Sequence, residues 1–182
     1  MAIGTHRGVR LPMEGNELPG VLLNADFLRN ASMGMETGMG KRVIILGGGN
    51  VAFDCARSAV RLGAQEVHLA CLEARENMLA DDEEIQQAQE EGIQIHPAHT
   101  FEKICGTDHV TGVEFCNVKS FTFDENRRAI IEKEEDSAHV IEGDTVIFAV
   151  GQRADITEEA GLELGRGNSI AVKEGSLATS VG

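Results

Sequence analysis

Residues 43–64 read V-I-I-L-G-G-G-N-V-A-F-D-C-A-R-S-A-V-R-L-G-A, and few folds accommodate such a run. A continuous apolar stretch at 43–46 has the character of a parallel strand covered on both faces. It passes through three glycines into a segment where Val51, Ala52, Cys55, Ala56, Ala59, Val60 and Leu62 recur at helical spacing. Asp54, Arg57, Ser58 and Arg61 fall on the opposite side, and Gly63 stands where a helix C′ glycine belongs. A second apolar strand follows at 66–72. Strand, helix and strand fit inside the roughly 30 residues of a mononucleotide-binding βαβ unit.

The glycine spacing supplies the chemistry. Gly47 makes the tight turn off the strand, Gly49 lets the backbone approach a phosphate closely, and Ala52 lets the helix pack tightly on the sheet, giving G-x-G-x-x-A. With Gly48, Asn50 and Val51 these residues form a candidate pyrophosphate cradle, because the free N–H groups at a helix start face an anion. Glycine triplets also occur in ordinary loops; the flanking strand, helix and strand favour nucleotide binding here. About 20 residues past the turn, where a Rossmann unit places its ribose-binding acid, stands Glu73. A carboxylate accepts hydrogen bonds from ribose hydroxyls and repels a 2′-phosphate, so NAD(H) is favoured over NADP(H). The alternative is a solvated acid at a strand end. Arg75 is compatible with stacking on adenine, with reaching toward a 2′-phosphate, or with a plain surface charge.

Composition narrows the setting. A chain of 182 residues with 42% hydrophobic content can bury a respectable core as one domain. Its net charge of −14 argues against a nucleic-acid or acidic-membrane partner. Asp81, Asp82, Glu83, Glu84, Glu90 and Glu91 flank Ile85 and Ala88 in a helical stretch. This pattern reads as a solvated face rather than a docking site. No stretch reads as a membrane span or secretory signal, so the expected location is cytoplasmic. Cys55, Cys71, Cys105 and Cys116 form no C-x-x-C spacing, and Cys55 and Cys71 read as small buried apolar residues. The six histidines are scattered in sequence, and His96 and His99, flanking a proline, read as loop residues without a partner cluster.

The remaining pattern gives an α/β fold class. Gly92 ends the acidic helix and residues 93–96 read as a third short strand. Residues 101–141 then alternate in short apolar runs separated by turn clusters at Gly106-Thr107-Asp108 and Asp124-Glu125-Asn126. The expectation is a Rossmann-like parallel sheet with an inserted antiparallel β-meander before a last parallel strand at 145–150. Residues 33–40, rich in glycine and methionine, are the most linker-like stretch.

Three stretches carry a resemblance to a known family. Ala2-Ile3-Gly4-Thr5 with Leu18-Pro19-Gly20-Val21 and Asp26-Phe27-Leu28 is similar to the crossing out of a flavin domain. Residues 47–63 resemble a nicotinamide-nucleotide turn and helix, and Phe148-Ala149-Val150-Gly151-Gln152-Arg153-Ala154-Asp155 is similar to the crossing back. Together they resemble the pyridine-nucleotide domain of the two-dinucleotide-fold flavoprotein oxidoreductases, and within them the small (beta) subunit of glutamate synthase. NADPH-using members typically end the second strand in a tyrosine and paired arginines, whereas this chain has Cys71-Leu72-Glu73. Neither the family's earlier glycine-rich turn for FAD nor its later glycine-aspartate motif is present.

The resemblance implies residues 1–40 as a crossover segment from the FAD domain and linker, 41–152 as the NAD(P)-binding domain, and 153–182 as the return crossover toward an FAD domain. It also implies a domain cut from a longer polypeptide. Nucleotide would be held at residues 47–51 and Glu73, with Gly151 and Gln152 lining the nicotinamide end or forming a plain turn, and hydride would pass to FAD bound mainly outside this segment. No side chain needs to act as acid or base in hydride transfer, so no catalytic residue is nominated, and the segment alone is expected to be inactive. The implied partners are the FAD domain of the same polypeptide and a large-subunit or iron-sulfur electron acceptor. A stand-alone NAD-binding or sensing module and an electron-transfer docking domain are the rival readings.

Overall fold

The computed structural model describes residues 4–125, 129–154, 161–165 and 169–180. In chain order the elements are β1 (Arg7–Gly8), β2 (Val21–Leu23), α1 (Asn24–Ser32), β3 (Arg42–Leu46), α2 (Asn50–Arg61), β4 (Glu66–Ala70), α3 (Asp82–Glu90) and β5 (Gln94–His96). There follow β6 (His99–Gly106), β7 (Val110–Phe123), β8 (Ala129–Lys133), β9 (His139–Glu142), β10 (Thr145–Phe148) and β11 (Gln152–Arg153). Of the residues singled out above, Ala2, Ile3, Asn126 and Asp155 lie outside the described set.

Strands β2, β10, β3, β4 and β5 pair in that order into one parallel sheet. Its central members are rich in β-branched residues, which fit a pleated, buried surface. Because successive side chains point to opposite faces, the central strands β10, β3 and β4 serve two cores. Val43, Ile45, Leu69 and Ile147 join Phe27, Phe53, Ala56 and Ile85 beneath the helices. Ile44, Leu46, Ala70, Val146 and Phe148 join Ile104, Val110, Val113 and Phe115 beneath the antiparallel strands. The result is three layers, with helices on one face of the parallel sheet and the inserted meander on the other.

Helix α2 lies on the sheet through Ala52, Cys55, Ala56 and Ala59, all fully buried; these small side chains let its axis approach closely. On its other side Arg57 bonds Glu84 at 2.8 Å and Glu91 at 2.9 Å, tying α2 to α3. Gly63, at φ +91°, ends α2 in the conformation that a C′ glycine supplies. Burial pushes the Cys55 and Cys71 thiols up to about 12, as suits small apolar core residues.

Within the meander, β7 pairs with β6 along one edge and with β8 and β9 along successive stretches of the other. A β-bulge interrupts the β7–β8 register between Val118 and Ser120. Two features were not visible from local pattern. Residues 21–23, placed by sequence in the 1–40 segment, form a strand beside β10. β1 and β11 pair antiparallel, Arg7 with Arg153 and Gly8 with Gln152, which brings residues more than 140 positions apart side by side. Among the described residues no helix is long and apolar enough to cross a membrane.

One sequence expectation is corrected. The histidines are not without a cluster: His68 Nδ1 and His96 Nε2 lie 2.9 Å apart, and rings of His96 and His99 and of His99 and His139 lie 5.5 and 5.1 Å apart, with Phe115 alongside. His96 closes β5 and His99 opens β6, and pairing of distant strands brings His68 and His139 to them. Burial, reinforced by the charges of the neighbouring imidazoles, lowers His96 to about 4. Among the described residues no group of three or more His, Cys, Asp or Glu is arranged to hold a metal ion.

Candidate functional site

From β3 the chain moves outward to β4 and β5, then returns through the meander to β10 on the other side of β3. The carboxyl ends of the strands at such a switch point are where open α/β sheets bind ligands. A cleft of about 610 Å³ opens there. It is lined by Glu73 after β4, by residues 47–51 after β3, by Gly151 and Gln152 after β10, and by Asn24 after β2. Phe101, Phe121 and Ala129 of the meander and Leu79 of the β4–α3 connection complete its walls. Apart from Arg75, the sequence candidates therefore line one cleft, Glu73 following β4 and the Gly151–Gln152 pair following β10, the two strands that flank β3.

The three glycines are there for different reasons. Gly47 has φ +143°, and a β-carbon would overlap the carbonyl oxygen of Ala149, so both conformation and space require glycine. At Gly48 a β-carbon would lie 2.7 Å from Cys71 Cβ and 3.2 Å from Glu73 Oε2, which also shows how closely the Glu73 carboxylate approaches the turn. Gly49, the N-cap of α2, has φ −92° and ψ 172°, and a β-carbon there meets nothing within 4 Å. Among the described residues nothing requires glycine at that position, and a side chain there would meet open space.

Among the described residues, the N–H groups of Gly48, Gly49, Asn50 and Val51 have no hydrogen-bond acceptor; the first satisfied donor of α2 is Ala52, bonded to Gly49 O at 2.8 Å. Unpaired donors at a helix start, carrying the positive end of its dipole, form an anion site. The Asn50 side chain is engaged elsewhere: its Nδ2 donates to Asp81 Oδ2 at 2.9 Å and its Oδ1 accepts from Asp81 N at 3.0 Å. It braces the turn against the N-terminus of α3, and only its backbone is offered to a ligand. These observations fit a pyrophosphate in the cradle.

Arg75 stands apart. It opens a 3-10 turn, its Nη1 lies 3.7 Å from Asp82 Oδ1, and it does not line the cleft. Sequence reasoning missed Asn24, which is 1% exposed and has no hydrogen-bond partner among the described residues for either Nδ2 or Oδ1. Nothing local marks it; it follows a three-residue strand whose partner, β10, lies more than 120 residues on.

The whole chain, residues 1–182, matches the family described as pyridine nucleotide-disulphide oxidoreductase. It is 36% identical to the NADPH-Fe(3+) oxidoreductase subunit beta of Geobacter sulfurreducens over 100% of this chain and 28% of that protein. It is 32% identical to the glutamate synthase [NADPH] small chain of Halomonas elongata over 98% of this chain and 41% of that protein. The chain thus spans less than half the length of these relatives. Among solved structures, thioredoxin reductase of T. acidophilum superposes with a TM-score of 0.70 at 20% identity, over 98% of this chain and 52% of that one. FprA of Mycobacterium tuberculosis in complex with NADPH gives 0.70 at 17% identity, over 90% and 51%. At these identities the structural likeness carries the fold.

Proposed function

The chain belongs to the pyridine nucleotide-disulphide oxidoreductase family, and from that premise we propose that it is the domain that holds the nicotinamide nucleotide in a flavoprotein oxidoreductase. One observation carries the proposal: a single cleft is lined by the unpaired N–H groups at the start of α2 together with Glu73 after β4 and Gly151 and Gln152 after β10, on either side of β3. Gly48, Gly49, Asn50 and Val51 bind the pyrophosphate through backbone donors. Glu73 accepts from the adenine ribose hydroxyls, and Gly151 and Gln152 orient the nicotinamide. When bound, the nicotinamide supplies a hydride to FAD held by another domain; the residues here contribute placement and a fixed electrostatic environment. The β1–β11 ribbon is the junction to that domain, and the chain without it binds nucleotide but turns nothing over. A larger electron-accepting subunit is the further partner, in keeping with relatives named as subunits.

The position of Glu73 favours NADH. The printed names of the relatives favour NADPH as the second reading. Calorimetric titration with each coenzyme, at fixed ionic strength, separates them. Tighter NADH binding that loses its preference in Glu73→Ala supports the assignment; tighter NADPH binding replaces it; binding of neither refutes the reading of the cleft.

A further inference from the structure

Beside the nucleotide cleft lies a second recess of about 610 Å³ that shares Leu72, Glu73, Leu79 and Phe121 with it. Glu73 belongs to both, so the recess continues outward from the point assigned to the adenine ribose. Its polar lining comes from Glu76 and Asn77 on one side and from Lys119 and Ser120 of β7 on the other. Among the described residues lining it, Lys119 is the one cation, and the natural partner for a phosphate on the ribose 2′-oxygen.

Lys119 is held by another group. Its Nζ lies 2.6 Å from Glu132 Oε1, and Ser120 Oγ donates to Glu132 Oε2 at 3.1 Å. Adjacent residues of a regular strand point to opposite faces, so one carboxylate does not ordinarily engage both. The bulge makes it possible: Val118 pairs with Lys133 and Ser120 with Glu132, leaving Lys119 as the extra residue. Bulges of this kind re-aim a side chain beside a site. The second nearby cation, Arg75, faces Asp82. Both positive groups at the ribose end thus have acidic partners, while Glu73 and Glu76 line the recess.

We propose that Glu132 is a specificity-determining residue: by pairing with Lys119 across the β7–β8 bulge it withholds that cation from a 2′-phosphate and reinforces the preference for NADH over NADPH. The inference rests on the nucleotide-binding reading of the cleft. Glu132 is exposed on β8, and Gln keeps its length and its capacity to bond Ser120, so Glu132→Gln leaves the fold intact.

The test is calorimetric titration of NADH and NADPH into the wild-type chain, Glu132→Gln, Lys119→Met and the double variant. Glu132→Gln is expected to tighten NADPH by about twofold to fivefold, the range an exposed ion pair supports, and to leave NADH unchanged. The gain disappears in the double variant, because it acts through Lys119, and shrinks at high salt. A gain that persists without Lys119, or an unchanged ratio of the two affinities in Glu132→Gln, overturns the inference while leaving the cleft reading in place. Failure of the wild-type chain to bind either coenzyme overturns both.

Discussion

Replacing Gly49 with alanine separates binding from folding, and the structure sets both magnitudes. A β-carbon at Gly49 meets no atom within 4 Å, and φ −92° is open to any residue. Alanine is a poorer N-cap than glycine by several tenths of a kcal/mol or more, but it stiffens the unfolded chain by about 0.4–1 kcal/mol. These effects oppose one another, and the folded state is expected to change by less than about 0.5 kcal/mol. Binding is different, because the methyl group projects into the cleft beside the unpaired N–H groups of Gly48 to Val51. Loss of one hydrogen bond from such a donor to a charged phosphate is worth about 1.5–3 kcal/mol, or roughly tenfold to a hundredfold in affinity. Thermal unfolding followed by circular dichroism, with calorimetric NADH titration, reads both quantities. Gly47→Ala is the control: positive φ and overlap with Ala149 O make it lower the melting temperature clearly. Wild-type NADH affinity in Gly49→Ala, or equal destabilisation by the two substitutions, refutes the argument.

The histidine cluster gives a pH dependence of definite sign. The folded His96 pKa, about 4, lies below the ordinary 6.5, so between those values the unfolded chain takes up a proton that the folded chain refuses. Stability present above pH 6.5 is therefore lost as pH falls toward 4, and His96→Gln is expected to flatten melting temperature over that window; an undiminished slope counts against it. Asn24→Leu removes an amide whose two polar atoms are buried without partners among the described residues. It is expected to hold or raise stability by about 1 kcal/mol, and a clear fall in melting temperature would show that the amide is satisfied in solution. Arg57→Met breaks the clamp from α2 to Glu84 and Glu91 and is expected to lower the melting temperature by about 2–4 °C, the shift produced by about 1 kcal/mol in a chain of this size. Its effect should diminish at high salt.

What could be read from sequence was whatever a short window encodes. Residues 43–64 carry their strand, turn and helix in their own periodicity, and Gly47, Gly49 and Glu73 are spaced by the βαβ geometry itself. The meander announced itself through alternating apolar residues and turn clusters. Pairings between distant residues left no such mark. Val21-Leu22-Leu23 is too short to declare itself a sheet strand, and it becomes one only because β10 offers an edge. His68 and His139 are 71 residues apart, yet both join the cluster centred on His96 and His99 through strand pairing. Arg75 stayed open to several readings because nothing local shows that its guanidinium lies 3.7 Å from Asp82 Oδ1 and that it does not line the cleft. Asn24 was invisible for the same reason as β2.

Strand β7 is anchored along only half of its length. Val110, Val113 and Phe115 sit in the core beneath the parallel sheet, whereas residues 118–122 run on with β8 as their ladder partner and contribute none of the core residues. The stretch is a cantilever: clamped at one end, it carries Lys119 and Phe121 beyond the clamp, and with few buried contacts it is expected to open at a lower free energy than the sheet it springs from. Phe121 and Ala129 wall the cleft, so if nucleotide binds there, slowed amide exchange over residues 118–122 is the expected sign of occupancy.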